Sequence, residues 1–413
     1  MKHVATIYFL LSMSMLQAQT LAEYMKWAVE QNPGLQSKHK EFEAALEKVD
    51  QVSTLPDPNF TVSTLGRMIE TRTGPQQAVF ILNQMFPWFG TLAAQGDVAA
   101  LAAEASFQSY LDARNKLQYQ VASAYYPLYE LREWIRIEQE FIRILQSDKD
   151  LSTSSFQNNR GSMVDVLRAD IMLKESETNL HILMKKEKPL LAAFNQLLNR
   201  ELDEPVELES SLTTSVVESM DKNDSSLMNH PQIREMELRI QSAKAAEQVA
   251  HKQGLPMLGV GVNYTLIGQR EDLAPGTTPP ADNGQDAFMP MVSVSLPIFR
   301  KKYEASKREI QLMQESYRLK KVELSNELLL GYETTWFELQ KQQELIALYE
   351  DQIRETRQAV NLTLTAYRNA SMEFEEVLTM QQQLLTYEKM KVSAVVQYLI
   401  AVAKIDYLTS KQY

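Results

Sequence analysis

Hydrophobic and polar positions along this chain follow two periods in turn, and the order in which they do so occurs twice. Leu117, Val121, Ala124, Leu128, Leu131, Ile135, Ile142 and Leu145 fall on three- and four-residue steps, with Glu138 as the one polar member of the series. Such spacing lays one apolar seam along a helix and predicts coiled-coil packing against another. From Thr91 to about Gln157 no helix terminator appears except Pro127, which predicts roughly 100 Å of helix with a local distortion at the proline. A turn signal at Phe156–Ser162 follows, and a second helix runs to about Leu198. A connection this short favours antiparallel neighbours. Ahead of the helix pair the period changes to two. Phe60, Val62 and Thr64 oppose Asn59, Thr61 and Ser63, and Phe80, Leu82, Gln84 and Phe86 oppose Val79, Ile81 and Met85. This reads as a β-hairpin over about 59–86, with the polar stretch 67–77 as its loop. Two short helices precede it, separated by Asn32-Pro33 and stopped by Leu55-Pro56-Asp57-Pro58, because proline disfavours helix in the residue before it.

The second half repeats this plan. Asn229-His230-Pro231 matches Gln31-Asn32-Pro33, alternation returns over about 259–297, and a second long helix pair spans about 299–408. Tyr332, Thr335, Leu339, Gln342, Ile346, Tyr349, Ile353, Thr356 and Val360 hold the heptad spacing there. Phe156 and Tyr367 lie 211 positions apart, as do Asp165-Val166-Leu167 and Glu376-Val377-Leu378. A period this long marks a duplicated half-molecule rather than a solenoid. The expected organisation is a signal peptide at 1–18, a first repeat at 19–207 and a second at 208–413. Lys2 and His3 start the signal, Val4–Met15 form its apolar core, and small Ala18 ends the cleavage site.

Composition narrows the function. Over 413 residues the net charge is −11, which argues against nucleic acid, and the absence of cysteine removes disulfide and thiolate chemistry. No stretch after the signal is apolar enough to span a bilayer as a helix, so any membrane crossing falls to the strands. Four strands are too few to close a barrel, and open edges cannot face lipid, so several copies would have to share one wall. The five histidines show no metal-ligand spacing, and neither a phosphate loop nor a nucleophile elbow is present. The chain reads as a non-enzyme with no cofactor.

At this point the residues resemble the TolC-type outer membrane efflux proteins, most of all the outer-membrane factors that pair with resistance-nodulation-division pumps. The resemblance rests on the twice-repeated plan, on the strand-to-helix corners at Pro87 and Pro297, and on two helix-tip motifs. The family's tip carries an aromatic residue, a glycine three on, and an acidic residue nine on followed by two apolar residues. Tyr367, Ala370 and Glu376-Val377-Leu378 fill it in the second half; Phe156, Asn159 and Asp165-Val166-Leu167 fill it in the first, with Gly161 displaced by two.

The resemblance implies a mainly α fold with a small β part. Long antiparallel coiled coils form a barrel continuous with a transmembrane β-barrel of twelve strands, shared by a homotrimer at four strands per chain. It implies residence in outer-membrane lipid with a large periplasmic extension, a tunnel closed at its periplasmic end, and opening when a periplasmic adaptor and an inner-membrane pump dock. Asp165, Glu376 and Tyr367 are its candidate gate residues. The two acids read either as rings lining the tunnel mouth or as helix-start carboxylates favoured by the dipole. Tyr367 and Arg368 read as gating hydrogen-bond partners or as a solvated turn. Phe86, Trp88, Phe89, Phe288 and Phe299 read as interfacial belts or as ordinary corner packing. Three functions stay open: an exit duct for small toxic compounds or metal ions, the same duct serving type I protein secretion, and a periplasmic coiled-coil scaffold outside the membrane.

Overall fold

In a computed structural model of the chain, residues 20–212, 227–274, 276–369 and 371–411 are described. The expected signal peptide and Ala370 lie outside them. Among the described residues the elements run α1 (Leu21–Gln31), α2 (Pro33–Ser53), β1 (Asn59–Thr71), β2 (Gly74–Phe86), α3 (Thr91–Gln157), α4 (Met163–Leu198), a 3-10 turn (Leu227–Asn229), α5 (Pro231–Gln253), β3 (Met257–Ile267), β4 (Ala287–Ser295), α6 (Arg300–Arg368) and α7 (Phe374–Leu408). None of these helices is long and apolar enough to cross a membrane.

Two compact units divide the chain, and each draws on both halves. One comprises the described parts of Met1–Lys38, Tyr110–Pro231 and Leu324–Tyr413, and is helical. Thr20 starts it with a capping box, its hydroxyl accepting from the Glu23 N–H while Glu23 reaches back to the Thr20 N–H. The core gathers Tyr24, Met25, Ala28 and Leu35 with Leu117, Val121, Tyr125, Leu128, Phe194, Leu198 and Ala403. Tyr24 meets Phe194 edge-on at 5.2 Å between ring centres, a geometry that the ring quadrupoles favour. The two buried tyrosines keep a polar task. The Tyr24 and Tyr125 hydroxyls accept from the backbone N–H groups of Glu207 and Glu209 at 3.0 and 2.9 Å. Asn195 donates to the carbonyls of Leu202 and Glu204, and Arg132 to that of Leu208. The polar segment after Leu198 is thus strapped to the core over residues 202–209.

The seams fall where the periodicity sets them. Leu117, Val121, Leu128, Leu131 and Leu145 of α3 are buried, as are Tyr332, Thr335, Leu339, Gln342 and Thr356 of α6. Glu138 is buried as well, fully, in an ion pair with Lys389 of α7. The Trp134 indole N–H donates to the Lys389 carbonyl at 3.2 Å beside it. α3 runs on through Pro127, and α4 through Pro189.

The second unit, His39–Ser109 with Gln232–Glu323, carries the sheet. Its strands lie in the order β1-β2-β3-β4, all antiparallel, so β2 of the first half pairs with β3 of the second. The loop expected over 67–77 is mostly strand: pairing resumes at Ile69↔Gln76, Glu70↔Pro75 and Thr71↔Gly74 after an irregularity. Backbone hydrogen bonds hold this end together, so its polar side chains are no obstacle to the ladder. β4 likewise starts at Ala287, earlier than its alternation suggests, and contains Pro290. A proline is tolerated there because β4 is an edge strand.

Candidate functional site

Register sorts the sheet into two unlike faces. Partners across an antiparallel ladder share a face. Phe60↔Leu82↔Val262 and Val62↔Phe80↔Tyr264↔Phe288 therefore line one side, joined by Val260↔Val292 and Leu258↔Val294. Phe80 links Phe60 and Tyr264 in an aromatic row with ring centres 6.5 Å apart at each step. Phe60, Val62, Leu82, Val260, Phe288, Val292 and Val294 are all exposed. The other side carries Asn59, Thr61, Ser63, Asn83, Gly259, Gly261, Asn263, Thr265, Ser293 and Ser295, interspersed with Val79, Ile81, Met85, Met257, Met289 and Met291. Gly259 is bare for a reason: a Cβ there would collide with the Ser293 hydroxyl and the Met85 thioether, which lie over it. One face suits hydrocarbon and the other water. Among the described residues β1 and β4 each pair along one edge only.

The corners end the ladder. Pro87 follows the last residue of β2 and has no N–H to donate. Gly90 then turns the chain at φ +72°, and the Thr91 hydroxyl donates to the Trp88 carbonyl at 2.6 Å as α3 begins. At the second corner Pro297 lies between Ser295, the end of β4, and Arg300, the start of α6. Phe89, Phe288 and Phe299 are well exposed, while Trp88 packs edge-on to Phe89 at 6.0 Å.

Both tips belong to the helical unit. Ser162 caps α4: its hydroxyl accepts from the Val164 N–H, and Asp165 accepts from the Ser162 N–H, each at 3.1 Å. Asn159 takes the left-handed conformation at φ 55°, which asparagine adopts more readily than most residues. This is the position where the family motif has glycine. In the second tip Glu376 stands exposed in the first turn of α7 beside Glu375, and Glu373 occupies the cap position without a side-chain cap bond. Asp165 and Glu376 hold the same place, three residues past the cap. The Tyr367 ring packs on Phe374 at 4.9 Å, and burial pushes its hydroxyl pKa up. Phe374, Val377 and Leu378 are buried with Phe141, Leu145, Ala169 and Leu173. Arg168 pairs with Glu375 at 2.8 Å, tying one tip to the other.

Two polar groups beneath the tips escaped the periodicity. Asp148 is buried among α3 seam positions, and burial pushes its carboxyl pKa up, opposed by a hydrogen bond with Gln381 and by the Arg368 charge. Its place three residues after Leu145 was the available signal. Asp170 lies between Lys149 and Lys174, both at 2.6 Å, and their hydrogen bonds pull its pKa down to about 2. Among the described residues no His/Asp/Glu group has the geometry of a metal site.

The sheet is thus apolar on one side and largely polar on the other, and among the described residues its two outer strands each have one unpaired edge. The comparisons place it further. Residues 224–410 match the model of the family described as outer membrane efflux protein. Solved structures with the same fold include CusC, at TM-score 0.79 and 14% identity over 94% of this chain and 91% of that one. The outer-membrane channel OprN matches at TM-score 0.77 and 17% identity over 95% and 90%. The outer membrane protein VceC from Vibrio cholerae matches at TM-score 0.75 and 15% identity over 94% and 95%. No curated protein matches the sequence.

Proposed function

We propose that the protein is the exit duct of a tripartite efflux system, a homotrimer that passively conducts small toxic compounds or metal ions. It resides in the outer membrane with a large periplasmic extension. An inner-membrane pump of the resistance-nodulation-division type supplies the energy, and a periplasmic adaptor links pump and duct. On this reading residues 1–18 are a cleaved signal peptide, and 19–207 and 208–413 are the duplicated halves.

The two-faced sheet carries the proposal. Its apolar side lies on Phe60, Phe80, Val260 and Val292 and its polar side on Asn59, Asn83, Asn263 and Ser293. Unpaired N–H and C=O groups at β1 and β4 are untenable in hydrocarbon, where each costs several kcal/mol. Three copies edge to edge would pair the two outer strands with one another and enclose a water-filled lumen. Pro87 and Pro297 mark where the ladder must stop.

Detergent-solubilised protein should therefore have the mass of three chains and conduct ions in a planar bilayer; a stable, non-conducting monomer overturns the reading. Asp165 and Glu376 would line the closed end of the duct, with Tyr367 as its packing support. Replacing both acids, Asp165→Asn with Glu376→Gln, should reduce cation selectivity in the same bilayer. Unchanged selectivity would leave them as helix-start carboxylates alone.

A further inference from the structure

The two strand-to-helix corners share a backbone plan but not a charge. α3 begins at Thr91 and carries no basic residue before Arg114. α6 begins with Arg300, Lys301 and Lys302, all exposed. Three cations at a helix N-terminus oppose the helix dipole, whose positive end lies there, and Glu304 is the one acid in the next turn. In a chain of net charge −11 this concentration calls for an anion from outside. The internal contacts leave it unneutralised: the Arg300 guanidinium donates to the Gly254 carbonyl at 3.3 Å, the Lys302 ammonium lies over the Tyr303 ring at 5.8 Å, and among the described residues neither Lys301 nor Lys302 pairs with a carboxylate. Lys252, at the end of α5, adds a fourth positive charge on the same side of the sheet, donating to the Phe89 carbonyl at 3.3 Å.

A second observation points to what the anion belongs to. Ile298 and Phe299, immediately before the cations, are 70% and 78% exposed, and they prolong the apolar run of β4 toward α6. Apolar side chains followed at once by cations match the boundary between acyl chains and phosphates. We propose that this corner binds the headgroup phosphates of anionic glycerophospholipids in the leaflet facing the helices. Arg300 offers a guanidinium fork and the two lysines offer point charges, while Ile298 and Phe299 lie among the acyl chains. The inference rests on the membrane reading above. The first corner's own residues supply apolar contact without a cation, and the Lys252 ammonium that reaches it comes from the second repeat, so the charge belongs to the second repeat.

The test uses full-length protein extracted from the outer-membrane fraction; a chain absent from that fraction would defeat the membrane reading and this inference with it. Thermal unfolding midpoints are measured with added phosphatidylglycerol or phosphatidylcholine. Phosphatidylglycerol should raise the midpoint more, and the excess should vanish in high salt. The Arg300→Gln, Lys301→Gln, Lys302→Gln variant should keep its response to phosphatidylcholine and lose the excess, with affinity for phosphatidylglycerol vesicles falling about tenfold or more. The charge-preserving Lys301→Arg, Lys302→Arg variant should retain it. Equal responses of the unaltered protein to the two lipids, or an excess that survives salt or survives in the glutamine variant, overturn the proposal. The lipid and salt comparisons on the unaltered protein decide the matter even if the glutamine variant does not fold.

Discussion

The tip of the α3–α4 pair and the tip of the α6–α7 pair repeat one motif at a separation of 211 residues, yet different forces hold them. The first is kept by local hydrogen bonds: Ser162 and Asp165 close a capping box, and Asn159 makes the reversal at positive φ. Its apolar residues are half in water, with Phe156 and Leu167 exposed. The second is kept by packing. Phe374, Val377 and Leu378 are buried against α3 and α4, and the cap position, Glu373, makes no side-chain bond. A duplicated motif has thus diverged into an anchor and a free end.

Substitutions at matched positions test that division, beginning with the largest effect. Phe374→Ala should cost about 3–5 kcal/mol in unfolding measurements, while Phe156→Ala costs under about 1 kcal/mol, because only the first leaves a cavity. Similar losses at both positions would dissolve the distinction. Next, Ser162→Ala should cost about 1 kcal/mol and Glu373→Ala close to nothing, since only Ser162 satisfies an orphan helix N–H.

Acidity separates two carboxylates beneath the tips. The folded pKa of Asp148 is raised, so folding favours its protonated form; its contribution is greatest below the ordinary aspartate range and is lost as pH rises through the folded value. Asp148→Asn should therefore raise the melting temperature at neutral pH and flatten the dependence on pH. Asp170 has the opposite sign: its pKa lies near 2, so its contribution is present above the ordinary value and fades as pH falls toward 2. The smallest effect is expected at the tie between the tips. Arg168→Ala should lose under about 1 kcal/mol, because both partners are substantially exposed, and should lose less still in high salt. A loss several times larger would make the ion pair, rather than Phe374, the link between the tips.

Much of this was legible from residue order. Long seams on α3 and α6 follow from their spacing, and the corners from Pro87 and Pro297. What escaped was non-local. Glu138 looks like a flaw in a seam until Lys389, 251 residues away, is seen beside it. The strap at 202–209 looks like linker because its backbone partners are the hydroxyls of Tyr24 and Tyr125, whose aromatic rings mark them as core. The ladder over 69–76 looks like loop because polarity was taken for want of structure, although strand pairing there uses main-chain groups that side-chain patterns do not report.

By itself the sequence determined periodicity: which positions share a helix seam or a strand face, where the chain must turn, and that the plan occurs twice. Those properties depend on neighbours a few residues apart, and the 3.6- and two-residue repeats translate them directly into geometry. Only the tertiary structure decided that β2 meets β3 across the two halves, that Glu138 and Asp148 are buried, and that the second tip is packed while the first stands open. Those depend on which distant surfaces come together, and a side chain's burial is set by its partner as much as by its own place in the chain.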